Sequence, residues 1–521
     1  MFAKINSAAL NGLKAISVTL EVNAFLTKGG DGTESTFFMV GLPDNAVRES
    51  KQRVLSALAN SAFRLPRMNV TVNLAPADIR KEGSGFDLPL AVGLLKTTDI
   101  VKADRLDEVA FVGELGLDGT IRSVRGALPI AIEARKQGFK ALFVPKANER
   151  EAGVVNHLKV YGVKTLKEVV DALNGNLSLT PVAVDTRADF YAAQTTYPLD
   201  FADVKGQVAA KRAFEVAAAG GHNLMIVGSP GCGKSMMAKR LPSILPQLTL
   251  AESLETTQIY SIAGELPTET SLIARRPFRS PHHTISDVAL IGGGMTLRPG
   301  EISLAHNGVL FLDELPEFSR SALETLRQPL EDREITIRRT RYAATLPCSF
   351  MLVAAMNPCP CGYYNDPAHQ CTCPPGKIQH YMDKISGPLL DRIDLQLEVT
   401  PVGLEELQRA PSGERSESIR ARVIKARDVQ TERYKDIPGL HCNAQLSAAQ
   451  IQQFAQPDAA GANALAGAMK KLNLSARAYE RILKMARTIA DLAGRDQISF
   501  DDVAEAVSYR NLDRADWGES F

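Results

Sequence analysis

The sequence has 521 residues, a hydrophobic content of 45%, a charged content of 23% and a formal net charge of +1. The length predicts roughly three domains, and the composition is that of an ordinary globular protein. Because positive and negative charges nearly balance, any surface for nucleic acid must be a local patch. The sequence has no run of 18 or more apolar residues, so we expect no membrane span.

The first 22 residues lack the apolar centre of a signal peptide. Four of the seven cysteines are crowded together, which favours a metal site in a reducing compartment over a disulfide framework. We therefore expect a cytoplasmic protein.

Residues 1–175 mix strands and helices. Alternation of polar and apolar residues at 16–22 and 69–74 predicts two strands. Residues 44–59 predict a helix that is capped by Asp44 or Asn45. We expect an α+β domain. Further helices are predicted at 86–95 and 126–137, and a strand at 141–144.

Two segments of this domain, 81–91 (KEGSGFDLPLA) and 113–149, resemble the Lon protease C-terminal domain, which has the ribosomal S5 domain 2-like fold. Lon proteolysis needs a Ser–Lys dyad, in which the lysine activates the serine. The resemblance puts Gly85 at the serine position and Leu128 at the lysine position, and Ser84 is one residue off. We expect a Lon-like fold without peptidase chemistry, used for docking or DNA contact.

Residues 176–198 are polar and predict a linker. A helix pair is then predicted over 203–220. It leads into an apolar run at 224–227 that predicts a buried strand.

The motif G-x-x-x-x-G-K-[ST] follows this strand without a mismatch, and residues 236–240 favour helix. Strand, glycine-rich loop and helix together predict a P-loop, whose backbone N–H groups surround phosphate oxygens. Lys234 is expected to reach the β- and γ-phosphates of ATP, and the Ser235 hydroxyl to bind Mg²⁺. The predicted nucleotide-binding residues are Gly228, Ser229, Pro230, Gly231, Cys232, Gly233, Lys234 and Ser235.

Residues 309–314 form an apolar strand that ends in two carboxylates, the Walker B pattern. Asp313 is expected to hold Mg²⁺, and Glu314 to orient the attacking water. Both roles need a carboxylate at the carboxyl end of a strand, where ligands bind in open α/β sheets.

Residues 334–345 predict two strands around a basic turn. Arg338, Arg339 and Arg341 would contact DNA phosphates there and make binding salt-dependent. A solvated charged turn remains the alternative. Residues 291–294 are a second candidate loop for a DNA channel.

A third apolar strand, 350–357, ends in Asn357, at the position called sensor 1 in AAA+ ATPases; a simple turn before Pro358 is the alternative. Residues 387–394 resemble the arginine-finger segment of magnesium chelatase ATPases and MCM helicases. The resemblance implies that Arg392 reaches the ATP of a neighbouring subunit, with a surface salt bridge to Asp391 or Asp394 as the alternative.

Four cysteines lie within an insertion at 358–375. Four thiols so close together predict tetrahedral Zn²⁺. The C-x-C spacing differs from the usual C-x₂-C, so reduced thiols without metal remain the alternative. The candidate ligands are Cys359, Cys361, Cys371 and Cys373.

Residues 403–521 predict a helical lid that follows the P-loop core of residues 199–402. Ser475 is expected to cap a helix with one buried face. Resemblance to magnesium chelatases assigns sensor 2 to Arg477, with Arg481 as the competing choice.

The segments 276–294, 298–318 and 357–364 resemble the bacterial magnesium-chelatase-like AAA+ family of the YifB/ComM type. The resemblance covers nearly the whole chain. It implies an ATP-driven, Mg²⁺-dependent hexameric ring that acts on DNA, as a branch-migration helicase in recombination or natural transformation. A chelatase-type motor for metal insertion and a regulator that remodels partner proteins are the alternatives. The roles of His282 and His283 stay open.

Overall fold

The computed structural model describes residues 1–26, 36–194, 197–294, 298–339, 342–366, 368–403, 413–472 and 474–510. The side chains of Arg338, Arg339, Tyr342 and Pro375 lie outside this description. Within these ranges, no helix combines the length and the apolar character that crossing a bilayer requires.

A mixed seven-stranded sheet forms the N-terminal part of the chain. The sheet contains antiparallel as well as parallel pairs, and its strands and helices are mixed along the chain. They are β1 (Phe2–Asn11), β2 (Lys14–Leu26), β3 (Phe37–Val40), α1 (Asn45–Asn60), β4 (Met68–Ala75), α2 (Asp87–Thr97), β5 (Val109–Phe111), the small hairpin β6 (Glu114–Leu115) and β7 (Ile121–Arg122), α3 (Ala127–Lys136), β8 (Ala141–Pro145), α4 (Glu149–Ala152), β9 (Lys159–Val163) and α5 (Leu166–Leu173).

The strand order of this sheet is β3-β4-β2-β1-β5-β8-β9. Alternation along β2 turns Val18, Leu20 and Val22 into the core, because successive side chains of a strand point to opposite faces. Helix α2 packs on β1 and β2 and is buried along nearly its whole length. The predicted cap of α1 is confirmed, since Asp44 accepts the Val47 N–H at 2.8 Å.

A parallel five-stranded sheet forms the second part of the fold. Helices precede, connect and follow its strands. The elements are α6 (Thr186–Gln194), α7 (Val208–Gly220), β10 (Leu224–Gly228), α8 (Lys234–Ala238), α9 (Leu250–Ala263), β11 (Phe278–Arg279), α10 (Asp287–Ile291), β12 (Gly292–Gly293), β13 (Arg298–Pro299), α11 (Glu301–Leu304), β14 (Val309–Leu312), α12 (Arg320–Thr325), α13 (Arg327–Asp332), β15 (Glu334–Arg339), β16 (Tyr342–Pro347), β17 (Met351–Met356), α14 (Pro375–Met382), α15 (Gly387–Leu390) and β18 (Leu395–Val399).

The order of the parallel sheet is β11-β14-β17-β10-β18. Strands β10, β14 and β17 are buried on both faces, which explains their uninterrupted apolar sequences. Because the strands are parallel, their carboxyl ends share one edge of the sheet. The three strands predicted before the P-loop, the Walker B carboxylates and Asn357 are therefore confirmed, and they present these residues at the same edge.

Two local predictions need correction. Residues 203–220 are not a helix pair: a 3-10 turn at Phe201–Asp203 precedes the single helix α7. Gly206 and Gln207 have positive φ angles of 62° and 53°, which break the helical path. The segment predicted as a linker also contains α6, whose Phe190 is buried.

The basic segment forms the predicted hairpin, in which β15 and β16 pair antiparallel and Arg339 lies opposite Tyr342. Ile335, Ile337 and Leu346 are buried and anchor the hairpin to the core. In the second candidate channel loop, β12 pairs with β13.

Helices make up the described C-terminal region. Ser475 caps its longest amphipathic helix through the Ala478 N–H, as predicted. Apolar side chains of this region join those of β10 and α7 in one continuous core. The helices are α16 (Ser416–Tyr434), α17 (Ala448–Phe454), α18 (Ala459–Lys471), α19 (Ala476–Leu492) and α20 (Phe500–Ser508).

Candidate nucleotide-binding site

The loop between β10 and α8 has the backbone that phosphate binding needs. Gly231 and Gly233 have φ angles of +82° and +90°, a region that glycine enters without steric cost. Lys234 Nζ donates to Gly228 O at 2.6 Å and to Ser229 O at 3.0 Å. The ammonium group is therefore held beside the first residues of the loop.

Asn357 is joined directly to this loop. It follows the end of β17, and its Oδ1 accepts a hydrogen bond from Lys234 Nζ at 3.1 Å. The residue predicted from strand order thus lies beside the predicted phosphate-binding lysine. An amide at this place can sense a group bound to the lysine.

Ser235 and Asp313 form the second contact across the sheet edge. Ser235 Oγ donates to Asp313 Oδ2 at 2.6 Å, and both oxygens are ligands that suit a hard cation. Glu314 follows with a positive φ of 54°, and its N–H bonds to Asp313 Oδ1 at 3.0 Å. The side chain of Glu314 is 58% exposed, so water can reach its carboxylate.

His283, to which the sequence assigns no role, lies beside Glu314 at this site. Its Nδ1 lies 3.3 Å from Glu314 Oε2, and its ring lies 4.1 Å from the ring of His282. The histidines follow β11, which pairs with β14, and this places them beside the Walker B turn. Only the pairing of the two strands, which local sequence patterns do not encode, could have identified the contact.

Arg392 does not reach the P-loop of its own chain. Its side chain is 9% exposed, and its Nη2 lies 2.5 Å from Glu331 Oε1, while Nη1 donates to Pro388 O at 2.6 Å. The salt bridge that the sequence offered as an alternative, to Asp391 or Asp394, is absent from these contacts. Those two carboxylates pair with arginines of the C-terminal helical region.

The two candidate sensor 2 arginines form ion pairs with the segment that carries Arg392. Arg477 Nη1 lies 3.0 Å from Asp391 Oδ2 and its side chain is 61% exposed. Arg481 Nη1 lies 2.8 Å from the buried Asp394. Burial alone would raise the pKa of Asp394, but Arg481 and His222 outweigh it and hold that pKa well below its usual range. Arg481 is therefore an anchor, and Arg477 is the more accessible of the two.

The four clustered cysteines lie next to this site in the chain and converge in space. All four Sγ atoms lie within 4.8 Å of one another. Cys359 Sγ is 3.3 Å from Cys361 Sγ and 3.7 Å from Cys371 Sγ. Four sulfur ligands at about 2.3 Å from a tetrahedral ion would lie about 3.8 Å apart. The donor set and its spacing fit such an ion.

The predicted DNA contacts are placed only in part. The backbones of Arg338 and Arg339 lie at the open end of β15. Their side chains, and the whole of Arg341, lie outside the described residues. The hairpin that carries them directly precedes β17, the strand that leads to Asn357.

The Lon-like positions carry no described Ser–Lys pair. Leu128 is fully buried in α3. The Ser84 hydroxyl contacts Glu114. The nearby Lys81 is buried and donates to the carbonyl groups of Pro76 and Ile79.

Comparison with known proteins agrees with these features. The domain family described as "Magnesium chelatase, subunit ChlI" matches residues 200–407, "Subunit ChlI of Mg-chelatase" matches 27–148, and "Magnesium chelatase, subunit ChlI C-terminal" matches 413–510. Lon protease 2 of Bacillus subtilis is 24% identical over 125 residues, which cover 24% of this chain and 22% of that protein.

Two relatives match along almost the whole length. Competence protein ComM of Haemophilus influenzae is 44% identical over 98% of both chains. YifB of Escherichia coli, described as uncharacterized, is 43% identical over 98% of this chain and 97% of its own. The chain therefore belongs to the magnesium-chelatase-like AAA+ family of the YifB/ComM type.

Proposed function

We propose that this protein is an ATP-hydrolysing AAA+ ring motor that acts on DNA, as a branch-migration helicase in recombination or natural transformation. The observation that carries the proposal is two hydrogen bonds at one edge of the parallel sheet, from Lys234 to Asn357 and from Ser235 to Asp313. The relative named as a competence protein supports a role in natural transformation.

The residues at this edge of the sheet have different roles in ATP hydrolysis. Lys234 holds the β- and γ-phosphates, Ser235 and Asp313 hold Mg²⁺, and Glu314 orients the attacking water. Mg²⁺ neutralises charge that develops on the phosphates. Asn357 responds to whether the γ-phosphate is present, because its side chain bonds to Lys234, the residue that holds that phosphate.

Two arginines complete the site between subunits of a hexamer in this proposal. Arg392 acts as a finger toward the ATP of the next subunit, after leaving Glu331. Arg477 acts as sensor 2. Both lie on elements that pack together through the contacts of Asp391 and Asp394, so a movement of the lid also moves the finger.

The proposed domain boundaries follow the sequence. They are a Lon-like domain at 1–175, a connector at 176–198, the P-loop core with its cysteine insertion at 199–402, and the lid at 403–521. Zinc is the proposed ion of the four cysteines, because thiolate ligands in tetrahedral spacing suit it.

A chelatase-type motor is the second candidate, because all three matching families are named for magnesium chelatase. That motor would be stimulated by a porphyrin and a partner chelatase subunit. The basic hairpin beside the Asn357 strand favours DNA.

The proposal predicts the effect of removing two hairpin charges. Arg338→Ala combined with Arg339→Ala should make the slope of log affinity against log salt less steep by about one to two. Each phosphate contact releases slightly less than one counterion on binding, and the variant loses two such contacts. The slope is measured by fluorescence anisotropy of labelled DNA from low to physiological salt.

Lys470→Ala combined with Lys471→Ala is the matched control, because it removes the same charge from exposed positions of α18. The control should keep the wild-type slope. An equal slope for the hairpin variant and the wild type would show that Arg338 and Arg339 do not contact DNA phosphates.

A further inference from the structure

The segment between the two cysteine pairs lies directly on the P-loop. A Cβ atom at Gly362 would come within 2.8 Å of Pro230 Cδ, and the φ angle of Gly362 is +89°. Both the contact and the backbone conformation therefore favour glycine at this position. The P-loop and the insertion touch here without room for a side chain.

Asp366 belongs to the same segment, and its carboxylate is oriented by its own neighbours in the chain. Its side chain is 1% exposed, and the neighbouring Ser229 hydroxyl lowers the pKa of this carboxyl group. Ser229 is itself buried. The N–H groups of Ala368 and His369 donate to Asp366 Oδ1 at 2.8 and 2.9 Å and fix the carboxylate in its place.

The cysteines stand at both ends of this contact region. Cys359 and Cys361 precede Gly362, and Cys371 and Cys373 follow Asp366. An ion that joins the two pairs would close residues 362–370 into a short loop with little freedom. Without an ion, nothing covalent joins the pairs, because all four cysteines are free.

We propose that zinc held by these four cysteines is required for tight nucleotide binding, because it keeps Gly362 pressed against Pro230. This inference rests on the zinc site of the proposed function, and it does not depend on DNA. The insertion thus packs against the phosphate-binding loop, and Gly362 is the residue that allows the close approach.

The first test removes the ion from the full-length chain. Affinity for a fluorescent ATP analogue is measured without DNA in the Glu314→Gln background, so that hydrolysis does not interfere. Chelation of zinc, or Cys371→Ser with Cys373→Ser, should weaken binding about tenfold or more, and added zinc should restore the chelated protein. Cys442→Ser is the control, since it removes a buried thiol outside the cluster and should keep the wild-type affinity.

The second test separates the ion from the contact. Gly362→Ala should retain one zinc per chain, measured by native mass spectrometry, and still bind nucleotide about tenfold more weakly, because the added Cβ atom would come within 2.8 Å of Pro230 Cδ. Circular dichroism checks that each variant keeps its fold.

Three results would overturn the inference. They are a chain purified without zinc that binds nucleotide tightly, a chelated and folded chain of unchanged affinity, and a zinc-loaded Gly362→Ala variant of wild-type affinity. If DNA neither bound to the protein nor stimulated its ATPase activity, the proposed DNA motor would be refuted. The zinc and nucleotide-affinity measurements would be unaffected by that result.

Discussion

Glu314→Gln should bind ATP as tightly as the wild-type chain and hydrolyse it about 10²- to 10⁴-fold more slowly, the range of a lost general base. The carboxylate stands one residue beyond Asp313, is 58% exposed, and is close to His283. Glutamine keeps the size of the side chain and can still bond to water, but it cannot take up a proton. Binding and turnover are therefore expected to separate.

Turnover is measured as phosphate release, and binding with a fluorescent ATP analogue. Glu317→Gln is the matched control, because Glu317 lies three residues further along, is 47% exposed, and pairs with Lys384 at 3.7 Å. The control should hydrolyse ATP at the wild-type rate. A Glu314→Gln protein that turns over ATP like the wild type would reject the role given to this carboxylate.

Arg392→Ala should lower turnover by about 10³-fold or more if the arginine acts as a finger. A finger that serves a neighbour can be complemented. Mixing Arg392→Ala chains with Glu314→Gln chains should therefore restore part of the activity, because some interfaces then combine an intact Arg392 with an intact Glu314. Phosphate release is followed across a series of mixing ratios.

The ion pair between Arg392 and Glu331 supplies the control. Glu331→Gln releases the arginine without removing it, so this variant should hydrolyse ATP at least as fast as the wild type. If Arg392 served only its own fold, Glu331→Gln and Arg392→Ala would lose stability and activity together, and no mixture would recover activity. That pattern would contradict a shared site.

Local patterns were enough to predict the elements that carry the nucleotide site. The P-loop is a contiguous motif, and the strands before Asp313 and Asn357 are short apolar runs in a parallel sheet. Caps were also predictable, because Asp44 and Ser475 bond within three residues of themselves. The shared edge of the sheet then follows from strand direction.

Contacts between distant residues could not be predicted in the same way. Arg392 bonds to Glu331, 61 residues away, and both lie among charged residues that offer several equally plausible partners. His283 meets Glu314 only because β11 and β14 are neighbours. Topology, rather than local composition, selects these pairs.

Irregular backbone limited the prediction elsewhere. Gln207 takes a positive φ of 53°, which is uncommon for a residue other than glycine, so local patterns over 203–220 predicted two helices where a 3-10 turn and the single helix α7 form. The contact of Gly362 with Pro230 likewise depends on how the insertion folds back, and the spacing of the cysteines indicates only that it closes on itself.

We propose that ATP hydrolysis by this chain is coupled to DNA. The most direct measurement is the steady-state ATPase rate with Mg²⁺, in the absence of DNA and with single-stranded, duplex and forked DNA, at one low salt concentration. We expect a higher rate with DNA, and the largest increase with the forked substrate. An ATPase rate that is the same with every DNA as without DNA would contradict it.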